Sequence, residues 1–154
     1  MTYDAGPGWT RSADALPLGP ANFELESFGP SRCVNVERPV ALLGRGLVSG
    51  TQDVDGALTK VLREGLLNRL FGLRAMAVGG LPHDIRAGTT AGRGATIFIA
   101  EQSCIPADLA AAPVVLDLRG YPVHDPDGVA VVFLVGTLPD DARDRILTSV
   151  RVTR

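Results

Sequence analysis

Asp127-Gly128-Val129-Ala130-Val131-Val132-Phe133-Leu134-Val135 is the stretch on which the fold turns. Seven apolar residues follow one another with no polar one to mark a wet side, which reads as a strand buried on both faces. The Asp-Gly ahead of it is a strong turn signal, and Pro122-Val123-His124-Asp125-Pro126 extends that turn upstream. Further back, Val114-Val115-Leu116-Asp117-Leu118 and Thr96-Ile97-Phe98-Ile99-Ala100 read as two more strands. Ala75–Val78 reads as a short one leading to Pro82-His83, and the segment from Gly88 to Gly94 is a turn-rich link.

Helical spacing takes over on either side. From Gln52 to Phe71, apolar residues fall at Val54, Leu58, Val61, Leu62, Leu66, Leu67, Leu70 and Phe71, the three-and-four spacing of one helix face. Thr51 and Asp53 are the candidate caps, and Gly72 is the candidate stop. Gly56 and Gly65 each weaken such a helix by about 1 kcal/mol relative to alanine. Asp140–Val150 reads as a last helix, with Pro139 suited to its start and Asp140-Asp141 favoured by its N-terminal dipole. Pro39-Val40-Ala41-Leu42-Leu43 fits a short strand or a helix start equally. Residues 1–30 hold Gly6, Pro7, Gly8, Pro17, Gly19, Pro20, Gly29 and Pro30, breakers dense enough to argue against both helix and central strand. The expectation is a flexible arm over 1–30, able to pack Trp9 or Phe23, and a single domain over 31–154. Its expected architecture is α/β, a layered sandwich of a mixed sheet with flanking helices.

Composition sets wider bounds. The chain has 154 residues, 45% hydrophobic and 21% charged, enough for one domain with a real core. A net charge of −2 argues against nucleic acid as a partner, since such a surface is normally basic. Lys60 is the only lysine beside fourteen arginines, a coding bias more than a functional signal. Cys33 and Cys104 lack the spacing of a metal or redox pair and suit a reducing compartment. No apolar run approaches the roughly 18 residues of a membrane span. The N-terminus lacks the basic start and apolar middle of a signal peptide, so the expected location is cytoplasmic, away from membranes.

For chemistry, His83 is the principal candidate. It and His124 are the only histidines, and Pro82-His83 sits where an apolar stretch turns, at the end of a scaffold element. The chain has neither a G-x-S-x-G elbow for a serine nucleophile nor a G-x-x-x-x-G-K-[ST] loop for a nucleotide phosphate. His124-Asp125 with Asp127 has the residue types of a metal site, but its Pro and Gly are those of any tight turn. A histidine can carry a phosphoryl group when one ring nitrogen is exposed and a guanidinium neutralises the phosphate. Arg63, in the Arg63-Glu64 pair, and Arg86 are available for that.

The order of these motifs resembles a known family, the IIA domains of the bacterial sugar phosphotransferase system in the mannitol/fructose class with its nitrogen-regulatory members. The resemblance spans roughly Gly46 to Val150. Gly46-Leu47-Val48 resembles the segment before the family's central helix, and Ala57–Glu64 resembles that helix ending in Arg-Glu. Ala75–His83 resembles the strand that ends in Pro-His, Asp127-Gly128 with Val129–Val135 the Asp-Gly strand, and Pro139–Val150 the start of the closing helix. The resemblance implies that His83 accepts phosphate from a histidine phosphocarrier protein and passes it to a IIB-type partner. It implies that Arg63 steadies the charge and that no metal or organic cofactor is needed. Arg143 stands where the family has its second histidine, so Arg143, Arg86 and His124 become candidates for phosphate or partner contacts.

Two further functions fit the same residues. One is a IIA-like regulatory module that binds a protein without transferring phosphate. The other is an unrelated small α/β enzyme in which His83 is a general base, with Asp84 or His124 beside it.

Overall fold

The computed structural model describes residues 1–18, 21–31, 38–63, 77–79, 83–87, 90–99, 114–124 and 127–152. Nine strands and two helices lie among them: β1 (Trp9–Arg11), β2 (Leu16–Leu18), β3 (Ala21–Ser31), β4 (Arg38–Ser49), α1 (Val54–Arg63), β5 (Ala77–Gly79), β6 (His83–Ala87), β7 (Thr90–Ile99), β8 (Val114–His124), β9 (Asp127–Gly136) and α2 (Asp140–Thr148). The strands form one sheet in the order β1-β3-β4-β9-β8-β7-β5, with β2 also against β3 and β6 also against β7. Every described pairing is antiparallel.

This corrects the α/β expectation: the fold is β-rich and antiparallel, with two described helices, and is not a mixed-sheet layered sandwich with flanking helices of the IIA kind. Connection lengths give the physical reason. Two residues separate β6 from β7, and two separate β8 from β9, where His124 pairs with Asp127. Links that short allow only antiparallel neighbours, because parallel strands need a crossover of a dozen residues or more. The apolar run of β9 is double-sided for another reason. β9 lies between β4 and β8 in mid-sheet, with a separate core on each face.

Alternation sorts the two cores. Val129, Val131, Phe133 and Val135 join Leu42, Val48, Leu116 and Leu118 beneath Ala57, Leu58 and Val61 of α1. Val132 and Leu134 join Ala41, Leu43 and Tyr121 beneath Ile146 of α2 and Val150. Burial on both sides favours each such side chain by about 1.5–3 kcal/mol over exposure. On the α1 face the rings of Phe23 and Phe133 meet with centroids 5.4 Å apart. Gly44 makes room for them, since a Cβ there would run into the Phe133 ring.

The segment expected to be a flexible arm is built into this sheet. Asn22-Phe23-Glu24-Leu25-Glu26 alternates wet and dry as β3, which pairs with β4 on one side and with β1 and β2 on the other. Pro17 is accommodated in the three-residue β2 at the sheet margin, where a missing N–H costs little. Thr2 bridges Arg151, and Met1, Tyr3 and Trp9 pack against the α2-side core. Pro39–Leu43, ambiguous between strand and helix, lies in β4.

Asp53 caps α1: its Oδ1 accepts the Gly56 N–H at 3.1 Å, and Thr51 Oγ1 accepts the Asp53 N–H at 3.0 Å. The expected continuation of this helix to Phe71 lies outside the described residues, as do Glu64, Cys33, Cys104 and Pro82. No described helix is long and apolar enough to cross a membrane.

Candidate functional site

His83 opens β6 opposite Gly94, with its side chain exposed. Ile85 and Ala87 of the same strand pack into the core on the α2 face, so His83, in step with them, faces that side too.

Gly94 pairs in turn with Arg119 of β8. Having no side chain, Gly94 lets Arg119 lie across it: a Cβ at Gly94 would stand 2.7 Å from Arg119 Cδ and 2.8 Å from Nη1. His83, Gly94 and Arg119 thus form a row on one face, with cross-strand Cβ positions spaced by about 5 Å. Arg119 is held in place, donating from Nη1 to the carbonyls of Ala95 and Leu118 at 3.2 Å each.

Next along β8 on the same face is Asp117, buried at 2% exposure. Its Oδ1 accepts from Thr96 Oγ1 at 2.7 Å and lies 3.5 Å from Arg119 Nη2. Its Oδ2 lies 3.1 Å from Arg143 Nε of α2, an ion pair by distance. The N–H does not point along that line, so both buried atoms are without a hydrogen bond. Arg143 Nη1 also pairs with Asp140 at 3.3 Å. Arg143, expected near the phosphate-bearing histidine, therefore ties α2 to the sheet through Asp117.

The other predicted residues are dispersed. Arg63 is the exposed last residue of α1, which packs on the face opposite His83. His124 is exposed at the end of β8, five residues or roughly 16 Å along the strand from Arg119. Asp84 follows His83 on β6 and so projects to the α1 face. Neither Asp84 nor His124 shares the face of His83, as a catalytic pair would require.

Arg86 lines a groove of about 550 Å³ on the α1 face, with Val54, Asp84, Ile85, Arg93 and Pro122. Two guanidiniums reach this groove in different states. Arg93 is engaged twice, Nε with Asp55 Oδ1 at 2.7 Å and Nη1 with Asp84 Oδ1 at 3.0 Å. The Asp55 hydrogen bond, then its charge, raises the Arg93 pKa above its ordinary value. Arg86 is exposed and has no ion pair among the described residues. The groove thus offers one engaged cation, one open cation and an apolar wall.

Sequence reasoning passed over Asp117 and Arg119. The signal was present, because a carboxylate inside Val114–Leu118 must find a cation or a donor once the strand is buried. Among the described residues no group of three or more His, Cys, Asp and Glu side chains is placed to hold a metal. No family model matches the chain, and no curated protein matches it either.

Proposed function

We propose that this chain is a binding module for an anionic group, a phosphate or carboxylate, received by Arg86 in the groove between β6 and the start of α1. The observation that carries this is the difference between the two groove arginines: Arg93 is occupied by Asp55 and Asp84, while Arg86 has no carboxylate partner among the described residues. A guanidinium presents paired donors that match a phosphate or carboxylate edge. Each charge-assisted hydrogen bond contributes about 1.5–3 kcal/mol, so two reach only millimolar affinity unaided. Val54 and Pro122 would add apolar contact for the body of the ligand. A cytoplasmic setting goes with this reading, on the strength of the cysteine usage.

The test is a titration of the full chain with inorganic phosphate and with phenyl phosphate, followed by nuclear magnetic resonance. Shifts should gather on β6 and the start of α1, with phenyl phosphate the tighter ligand. Arg86→Gln should weaken binding at least tenfold, and Arg63→Gln should leave it unchanged. Equal binding by wild type and Arg86→Gln would overturn the proposal, as would the absence of saturable shifts.

A second reading keeps phosphoryl chemistry on His83, favoured by the row that brings Arg119 across Gly94 toward it. A histidine phosphocarrier would donate: its N–P bond breaks as a new N–P bond forms on the His83 ring, and a IIB-like protein would then accept the group. Arg119, rather than Arg63, would be the nearby cation. Incubation with enzyme I, the carrier protein and phosphoenolpyruvate should add one acid-labile phosphoryl group that is lost in His83→Ala. No gain in mass, or a gain that survives the substitution, rejects this chemistry.

A further inference from the structure

We propose that the groove on the α1 face takes a small molecule carrying both charges: a phosphate or carboxylate on Arg86 and, a few bonds away, an ammonium on Asp84. The inference rests on the anion-binding reading of Arg86 and adds the second half of the ligand. Asp84 and Arg86 stand two residues apart on β6, so they project to the same face with Cα atoms about 7 Å apart. Both are exposed, and they do not pair with each other.

Charge is shared unevenly around them. Arg93 is one cation between two carboxylates, meeting Asp55 Oδ1 at 2.7 Å and Asp84 Oδ1 at 3.0 Å. The Asp55 contact is the shorter, so Asp84 is the less neutralised of the two. Among the described residues Asp84 Oδ2 has no hydrogen bond or ion pair, and the side chain is 90% exposed. A carboxylate offers about four acceptor positions, and Arg93 occupies one of those on Asp84. Arg86 has the opposite surplus, a guanidinium with no ion pair among the described residues. One wall of the groove thus presents an uncompensated negative charge beside an uncompensated positive one.

A simple anion on Arg86 meets that arrangement poorly. Its charge lies beside the Asp84 carboxylate, and the repulsion cancels part of the attraction. An ammonium on the same ligand turns the Asp84 contribution into attraction, since its three N–H donors face an oxygen that can accept. Both charges of the ligand then meet their opposites without moving Arg93 from Asp55. The groove of about 550 Å³ has room for a body of several heavy atoms against Val54 and Pro122. The chemical class is a short amine that bears a phosphate ester or a carboxylate.

Two probes of the same shape test this, O-phosphorylethanolamine and n-propyl phosphate, which differ by an ammonium in place of a methyl group. In nuclear magnetic resonance titrations of the full chain at low salt, the first should bind about three- to fivefold tighter, the scale of one exposed ion pair. Asp84→Asn should abolish that preference while n-propyl phosphate binds at least as tightly as it does to wild type. Equal affinities for wild type overturn the proposal, as does a preference that survives Asp84→Asn. So does an Asp84→Asn chain that loses n-propyl phosphate as well, because Asp84 would then act only by holding Arg93. Arg86→Gln separates this inference from the reading beneath it. If that variant loses both ligands and the ammonium adds nothing in wild type, the anion site stands and the assignment of Asp84 falls. If it binds n-propyl phosphate as wild type does, the anion site falls and the two-charge ligand with it.

Discussion

Arg143 Nε of α2 stands 3.1 Å from Asp117 Oδ2 of β8, both atoms buried and neither hydrogen-bonded. The charge of Asp117 is matched by Arg143 and by Arg119 at 3.5 Å, and Thr96 supplies the one short hydrogen bond. Coulomb attraction here holds a helix to a sheet; without Asp117, Arg143 keeps only the exposed Asp140, and Arg119 only the carbonyls of Ala95 and Leu118.

Asp117→Leu should therefore destabilise the chain by about 3–5 kcal/mol in urea unfolding, the range for breaking a buried pair. Asp117→Leu with Arg143→Met should cost clearly less than the sum of the single variants. Additive costs would show that the two side chains do not interact.

Gly44→Ala should cost about 1–3 kcal/mol through overpacking, because its Cβ would occupy the place of the Phe133 ring. In the Phe133→Leu background the same change should be close to neutral. Thermal unfolding of the four chains measures both effects.

Burial pushes the Tyr3 phenol up to about 12, with Glu26 adding to the rise and Arg45 opposing it. Burial also raises Tyr121. In the unfolded chain these phenols ionise near pH 10, so between about pH 10 and 12 the unfolded state has lost protons that the folded Tyr3 keeps. Stability should be level with respect to Tyr3 below pH 10 and fall as pH rises through that window. Ultraviolet titration should show phenolate absorbance delayed beyond pH 10, and Tyr3→Phe should flatten part of the alkaline loss.

Asp53→Ala removes the carboxylate that accepts the Gly56 N–H and should cost about 1 kcal/mol. Gln52 ties the same turn to the carbonyls of Val123 and Gly128. Amide exchange should therefore quicken in the first turn of α1 while β9 stays protected.

Local features were well represented in the sequence and pairings poorly. Val129–Val135, Val114–Leu118 and Thr96–Ile99 are strands because their composition allows little else, and Asp140-Asp141 does begin a helix. The partners of β9 depend on β4 arriving from about 90 residues earlier, and no local periodicity encodes that meeting. Residues 1–30 misled because prolines and glycines were counted without asking where they fall. Pro17 lies in a marginal strand, Gly29 sits near the end of β3 with a φ of +53°, and the alternation from Asn22 to Glu26 carried the true signal. Arg119 was not legible beside His83, because the two share a row only across Gly94 of the strand between them.

The bridge between Thr2 and Arg151 has a consequence for how the molecule is made. The core on the α2 face takes Met1, Tyr3 and Trp9 from one end of the sequence and Ile146, Val150 and Val152 from the other. During synthesis the first of these residues must wait, uncovered, until the last have left the ribosome. That core is then the last part to close.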